Sequence, residues 1–388
     1  MTTTTALPPA TRDRIASIDI VRGAVMVLMA IDHVRVYAGV PAGGPTPGLF
    51  FTRWVTHFCA PAFVFFAGSG IFLYAARVRD TAAVRRYLLT RGFLLVLLEL
   101  TIIRFCWTFN VAYDRFVLAG VIWMLGWCMV LMTALAGRKP ALVGWIGVAI
   151  AGLQQVFGFI PHALPAAVQQ QAGWIWEFFY PAGYDTWPPP LAILYVIAPW
   201  LGVMAAGYGF GAIIQRDSAE RRRRCLQIGL TMIGLFVVYA IVTAIQLRGR
   251  TNGAPVIFRV LNPAKYPVSQ AFLLMTLGPA IAVLPLLEQA RGRLVRALET
   301  FGRVPMFYYL LHIPAIHIAA VVVNAARGAG YHAAWYATAP YASVPPEARW
   351  SLALLYLTWG AVVALLYPAC AWFNRAKTAR PGSWRRYV

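Results

Sequence analysis

Stretches of roughly 20 apolar residues, the length that spans a bilayer's hydrocarbon layer, recur from one end of this chain to the other. They fall at about 17–40, 54–76, 92–111, 117–136, 141–160, 191–214, 226–246, 268–287, 304–324 and 350–373. Lipid offers backbone amides no hydrogen-bond partner, so spanning segments close their bonds internally as helices. The fold class expected is an all-α integral membrane protein. About ten transmembrane helices would surround a central cavity. Only 12% of the 388 residues are charged, about half the share of a soluble domain. Residues 17–373 are therefore read as one membrane domain, between a tail at 1–16 and a basic tail at 374–388.

The net charge of +21 invites a nucleic-acid reading. The placement of the charge argues against one. Lys and Arg sit in short loops between apolar segments, not on one continuous face. With the N-terminus inside, inner segments hold 23 of them and outer loops 7. This asymmetry puts both termini in the cytoplasm, and anionic lipid heads would attract the inner loops. Residues 1–14 are polar without an apolar signal core, so no cleaved signal peptide is expected. The five cysteines form no CxxC or Cys/His cluster, which argues against a disulfide framework or a metal site. The expected setting is a bacterial cytoplasmic (inner) membrane, crossed many times.

Two outer loops are long. Loop 161–190 holds Trp174, Trp176, Tyr180, Tyr184 and Trp187, followed by three prolines. Loop 247–267 holds Arg248, Arg250, Arg259, Lys265 and Tyr266. An aromatic belt at the interface and an external lid for a polar acceptor, with aromatic faces for sugar rings, both fit. Lys265 and Tyr266 are candidate acceptor contacts. No internal repeat is evident, so the inverted-repeat sign of many transporters is absent.

Ionisable groups inside membrane helices are costly and mark function by default. The first helix holds Asp19, Arg22, Asp32 and His33. Arg22 and His33 are eleven residues apart, about three helical turns, so they share one face roughly 16 Å apart. Arg suits a phosphate, and His can take a proton from an attacking hydroxyl or amine. Asp32 lies about 100° round the helix, placed to tune the histidine or to meet an acceptor. Arg53, His57 and Pro61 recur at four-residue spacing on one face. His57 is a second acid/base candidate and Arg53 an acceptor contact. Glu99 and Arg104 point to different faces and, with Asp19, are read as a structural charge network. Tyr308 and His312 lie one turn apart on the ninth helix, where His312 can meet the first helix. Snorkelling of Arg22 and helix–helix hydrogen bonds by the histidines are the plainer alternatives.

Asp19-Ile20-Val21-Arg22-Gly23 with His33 resembles the Arg-x10-His motif of the type-three membrane acyltransferases. Tyr309-Leu310-Leu311-His312-Ile313-Pro314 resembles their Tyr-Leu-x-His-x-Pro motif. Asn262-Pro263-Ala264-Lys265-Tyr266-Pro267 and Met275-Thr276-Leu277-Gly278-Pro279, with 57–74 and 302–317, are similar to a narrower group. That group is the bacterial relatives of heparan-α-glucosaminide N-acetyltransferase, and the likeness covers nearly the whole chain.

The resemblance implies an enzyme: an acyl-CoA-dependent O- or N-acyltransferase. It would move an acyl group, acetyl in the simplest case, from cytoplasmic acetyl-CoA or another acyl-CoA to a sugar or glycan on the far side. No metal is implied. Arg22 would help to hold CoA, with His312 and Tyr308 beside it, and His33 would be the catalytic base. Animal lysosomal members carry Asn at the position of His33, with their catalytic His in the next outer segment. Here 41–50 has no His, so the role falls to His33, with His57 contributing. Direct transfer and a transient acyl-histidine both stay open, as does a homodimer. The rival reading is a proton-coupled transporter of a small polar solute, with Asp19, Asp32, His33, Glu99 and His312 as a relay.

Overall fold

The computed structural model describes residues 16–44, 46–180, 191–248 and 255–379. The tails, most of the tip of loop 247–267 and the Tyr184–Pro190 part of loop 161–190 lie outside the described residues. Each apolar segment of the sequence carries helix. The first is α1 (Ala16–Tyr37). The second is α2 (Pro47–Trp54), a 3-10 turn at Val55–Phe58, then α3 (Cys59–Val78). The third is α4 (Thr81–Leu98), a π-helical turn at Glu99–Ile103, then α5 (Arg104–Thr108).

Strand β1 (Val117–Ala119) leads into α6 (Val121–Met132). Then come α7 (Pro140–Gly152), α8 (Val156–Ala163) and α9 (Ala166–Glu177). Strand β2 (Leu191–Ile193) leads into α10 (Ile197–Ile214), followed by α11 (Ser218–Gln246). The rest is α12 (Val256–Val260), α13 (Gln270–Ala282), α14 (Leu284–Leu287), α15 (Arg293–Arg303), α16 (Pro305–Ala326) and α17 (Leu352–Ala379).

Six helical stretches among the described residues are long and apolar enough to cross a membrane: Pro47–Val78, Ile197–Ile214, Ser218–Gln246, Gln270–Leu287, Pro305–Ala326 and Leu352–Ala379. The bent pair α7 and α8, which meet at 72°, makes a seventh if it counts as one span. The other expected spans differ for local reasons. Helix α1 carries Asp19, Arg22, Asp32 and Arg35 within 22 residues. The α4–α5 run contains Glu99 and Arg104. The fourth segment enters as a strand and has a helix over Val121–Leu135 only.

Strands β1 and β2 pair in parallel, Val117 with Leu191 through Ala119 with Ile193. This small sheet was not expected in an all-helical chain. Leu118, Ala119 and Ile193 are buried. Backbone buried there without helix needs a partner, and each strand supplies the other's. Loop 161–190 was also misjudged in part, since α8 and α9 occupy 156–177. Trp176 donates its indole N–H to Phe157 O at 2.7 Å. That packs it onto α8, and it does not line the cavity described below.

Helices α3 and α10 meet through small residues, among them Gly68, Ser69 and Gly207. Gly68 lies against the backbone of Met204 and Tyr208, and Gly207 against that of Phe65. Ser69 donates to Gly207 O at 2.8 Å. Small residues let backbones approach closely where hydrophobic exclusion of water is not available as a drive. Gly68→Ala is expected to force the helices apart and to cost roughly 1–3 kcal/mol, read as a lowered unfolding midpoint in detergent.

Candidate active site

A cavity of about 490 Å³ runs beside α1. Arg22, Arg91, Arg303 and Lys377 line one end. Asp32, His33, Arg53, Tyr195, Lys265 and Tyr266 line the other. Between them the wall is largely apolar, with Met29, Ala60, Phe63, Leu118 and Met306. The helix is unbroken from Ala16 to Tyr37, so Arg22 and His33 stand on one face, as their spacing requires. Met29 shares that face on the cavity, whereas Met26 is fully buried behind it.

His33 touches α16. Its Nδ1 lies 2.7 Å from Nε2 of His312, and the rings are 4.8 Å apart. His312 in turn places Nδ1 2.7 Å from Tyr309 O and 3.1 Å from Tyr308 O. Carbonyl oxygens only accept, so His312 Nδ1–H is the donor there. Its Nε2 is then the acceptor, and His33 Nδ1–H donates to it. That chain of assignments leaves the lone pair of His33 on Nε2. His312 is 0% exposed and does not line the cavity, so of the two rings His33 is the one on the wall. Trp107 packs edge-on against the same ring, centroids 4.8 Å apart.

Tyr308 and His312 therefore stand behind the wall rather than on it. The Tyr308 ring stacks on His312 at 5.2 Å, and its hydroxyl is buried without a partner among the described residues. Expected as donor contacts, the two lie off the cavity, with His312 bonded to His33 and Tyr308 stacked on His312. The neighbouring Tyr309 lines the cavity.

Asp32 does not reach His33. Its Oδ1 accepts from Arg35 Nε at 2.8 Å and its Oδ2 from Arg53 Nη1 at 2.7 Å. Arg35 also donates to Val40 O. Both oxygens of the aspartate are thus taken by arginines, and neither is bonded to His33. His57 is corrected too. The 3-10 turn at Val55–Phe58 breaks the four-residue spacing, sending Arg53 to the cavity and His57 away from it. His57 Nε2–H donates to Asn262 Oδ1 at 3.0 Å, and the ring packs on Phe272. That bond holds Asn262, and Lys265 and Tyr266, three and four residues on, line the wall. Lys265 Nζ stands 5.1 Å from the Tyr266 ring centre, and Tyr266 donates to Tyr195 Oη at 3.3 Å.

The expected charge network of Asp19, Glu99 and Arg104 divides into three separate sites. Asp19 lies 3.9 Å from Arg22 and 4.0 Å from Arg303. Glu99 accepts from Ile122 N and Trp123 N at the start of α6. Arg104 donates to Phe116 O, Ala112 O and Asn110 O, stapling the turn after α5. Backbone carbonyls nearby in sequence satisfy it, which a search for a counter-ion on another helix misses. Also missed were Arg35, Tyr195 and Tyr309. Arg35 stands three residues from Asp32 on one helix, and Tyr309 opens the Tyr-Leu-x-His-x-Pro run; Tyr195 carries no such signal.

Asp32→Asn leaves Arg35 and Arg53 without their counter-charge. With side chains 13–18% exposed, the expected loss is about 2 kcal/mol, below the fully buried limit, measured by unfolding in detergent. Arg53→Lys, which keeps charge but loses the planar fork, is expected to cost less.

A comparison with curated proteins finds no match. The family model described as heparan-alpha-glucosaminide N-acetyltransferase, catalytic, matches residues 14–242. That span contains Arg22, His33, Arg53 and the Glu99 turn. The chain belongs to the heparan-alpha-glucosaminide N-acetyltransferase catalytic family, a family of membrane acetyltransferases.

Proposed function

We propose that the chain moves an acetyl group from cytoplasmic acetyl-CoA to a hydroxyl or amine of a sugar or glycan outside a bacterial inner membrane. Residues 17–373 act as one unit, with both termini on the donor side. The Arg22 end of the cavity takes the phosphates of CoA, where Arg91, Arg303 and Lys377 add charge. The thioester then lies along the cavity with its carbonyl at His33. The acceptor enters between Arg53, Lys265 and Tyr266.

The observation that carries this reading is the hydrogen-bonded pair of His33 and His312, which leaves a lone pair on His33 Nε2 at the cavity wall. In the reaction, Nε2 takes the proton of the acceptor. The acceptor oxygen or nitrogen bonds to the thioester carbon, and the carbonyl oxygen gains charge. Arg53 and Lys265 are the cations placed to oppose that charge. Collapse breaks the carbon–sulfur bond, and the proton on Nε2 passes to the CoA thiolate. Throughout, Nδ1–H stays bonded to His312, which holds the ring and spreads its transient positive charge.

Direct transfer is favoured over an acyl-histidine. An acylated Nε2 could no longer serve as base for the acceptor. Among the described residues at that end, His57 and His312 lie off the wall, and Asp32 is held by two arginines.

His33→Ala is expected to lower transfer roughly 10²–10⁴-fold while acetyl-CoA still raises the unfolding midpoint. Full activity in a folded His33→Ala protein sinks the assignment. His312→Ala is expected to lower kcat with a smaller change in KM. Incubation with labelled acetyl-CoA alone is expected to leave the protein unlabelled. In sealed inside-out vesicles, labelled acetyl-CoA added outside is expected to acetylate an acceptor trapped inside. Solute uptake without acyl-CoA would instead favour the transporter.

A further inference from the structure

The transfer chemistry leaves one acidic group on the cavity wall unused. Glu99 is 1% exposed and sits on the π-helical turn between α4 and α5. One carboxylate oxygen has a structural task. Oε2 accepts the N–H of Ile122 at 2.8 Å and of Trp123 at 3.2 Å, where the first turn of α6 has unmet donors. The other oxygen has none. Oε1 has no hydrogen-bond partner among the described residues. It lies beside Gly120, where an added Cβ would stand 2.6 Å from it. Glu99 and Gly120 both line the cavity, among Leu95, Leu118, Val121 and Ile122.

The depth of Glu99 indicates what passes it. Trp107, eight residues further along the same run, packs on His33. Glu99 is therefore about 12 Å along the helix axis from that level, toward the Arg22 end. A thioester with its carbonyl at His33 and its phosphates among the arginines threads its pantetheine arm past this point. The arm carries two amide N–H groups and a hydroxyl. It must shed water to enter a wall this apolar, and each donor left unmet is costly.

We propose that Glu99 is a specificity residue for the donor, its free carboxylate oxygen accepting a hydrogen bond from the pantetheine arm. This rests on the reading that acetyl-CoA is the donor. It assigns Glu99 no part in proton transfer. Gly120 is then the position that leaves room for the carboxylate.

Glu99→Gln is the sharpest test. Its amide oxygen can still accept from Ile122 and Trp123, so the start of α6 stays satisfied. Its NH2 then faces the cavity in place of an acceptor. Gly120→Ala tests the same point with the glutamate retained, by displacing Oε1. Both purified variants are first required to unfold within a few degrees of wild type. The expected result is a KM for acetyl-CoA raised about tenfold or more with kcat little changed. A short acetyl thioester without amide groups is expected to react equally with wild type and variants.

An unchanged KM in both variants, or a fall in kcat alone, overturns the assignment of Glu99. Failure of the donor reading looks different: wild type itself then shows no stabilisation by acetyl-CoA and no transfer.

Discussion

The Asp32 carboxylate, clamped between Arg35 and Arg53, organises the His33 end of the cavity. Three charges in a membrane helix pair are tolerable only together. Meeting them ties α1 to α2 and, through the Arg35 bond to Val40, to the turn after α1. Arg53 is then fixed at the wall near His33. The adjoining 3-10 turn sends His57 to Asn262, and that contact delivers Lys265 and Tyr266. Three wall residues from two parts of the sequence, Arg53, Lys265 and Tyr266, are thus set by one ion cluster and one amide.

A second constraint acts on the imidazole itself. A histidine can be base or donor on either nitrogen, and the hydrogen bond on one decides the state of the other. The carbonyls of Tyr308 and Tyr309 fix His312, and His312 fixes His33. The Tyr-Leu-x-His-x-Pro pattern therefore has a physical sense: it builds a rigid acceptor for a partner histidine.

Much of this was legible in the sequence. Apolar length predicted helices in the right places, and eleven-residue spacing predicted a shared face for Arg22 and His33. His312 was a candidate to meet the first helix across a central cavity; it meets His33 directly, off the cavity. Spacing failed where helices are irregular. A 3-10 turn rotated His57 out of phase with Arg53, and a π-turn gave Glu99 a place on the wall. Counting charges also failed for Asp32 and Arg104. One partner set was a pair of arginines, the other a row of backbone carbonyls, and neither leaves a periodic trace. Tyr195 could not be singled out among 18 tyrosines without the cavity to select it, whereas Tyr309 opens the Tyr-Leu-x-His-x-Pro run.

The apolar middle of the cavity has a consequence for the membrane that holds it. A passage with arginines at both ends attracts anions, and a wetted passage would leak them. Met29, Ala60, Phe63, Leu118 and Met306 line that middle with Glu99 beside them, and a mostly apolar lining of that kind raises the barrier to small ions. A slender, largely apolar arm can fill it while small ions are refused. The lining that suits such a ligand is then also insulation, which lets a protein keep a reaction chamber inside a membrane without short-circuiting it.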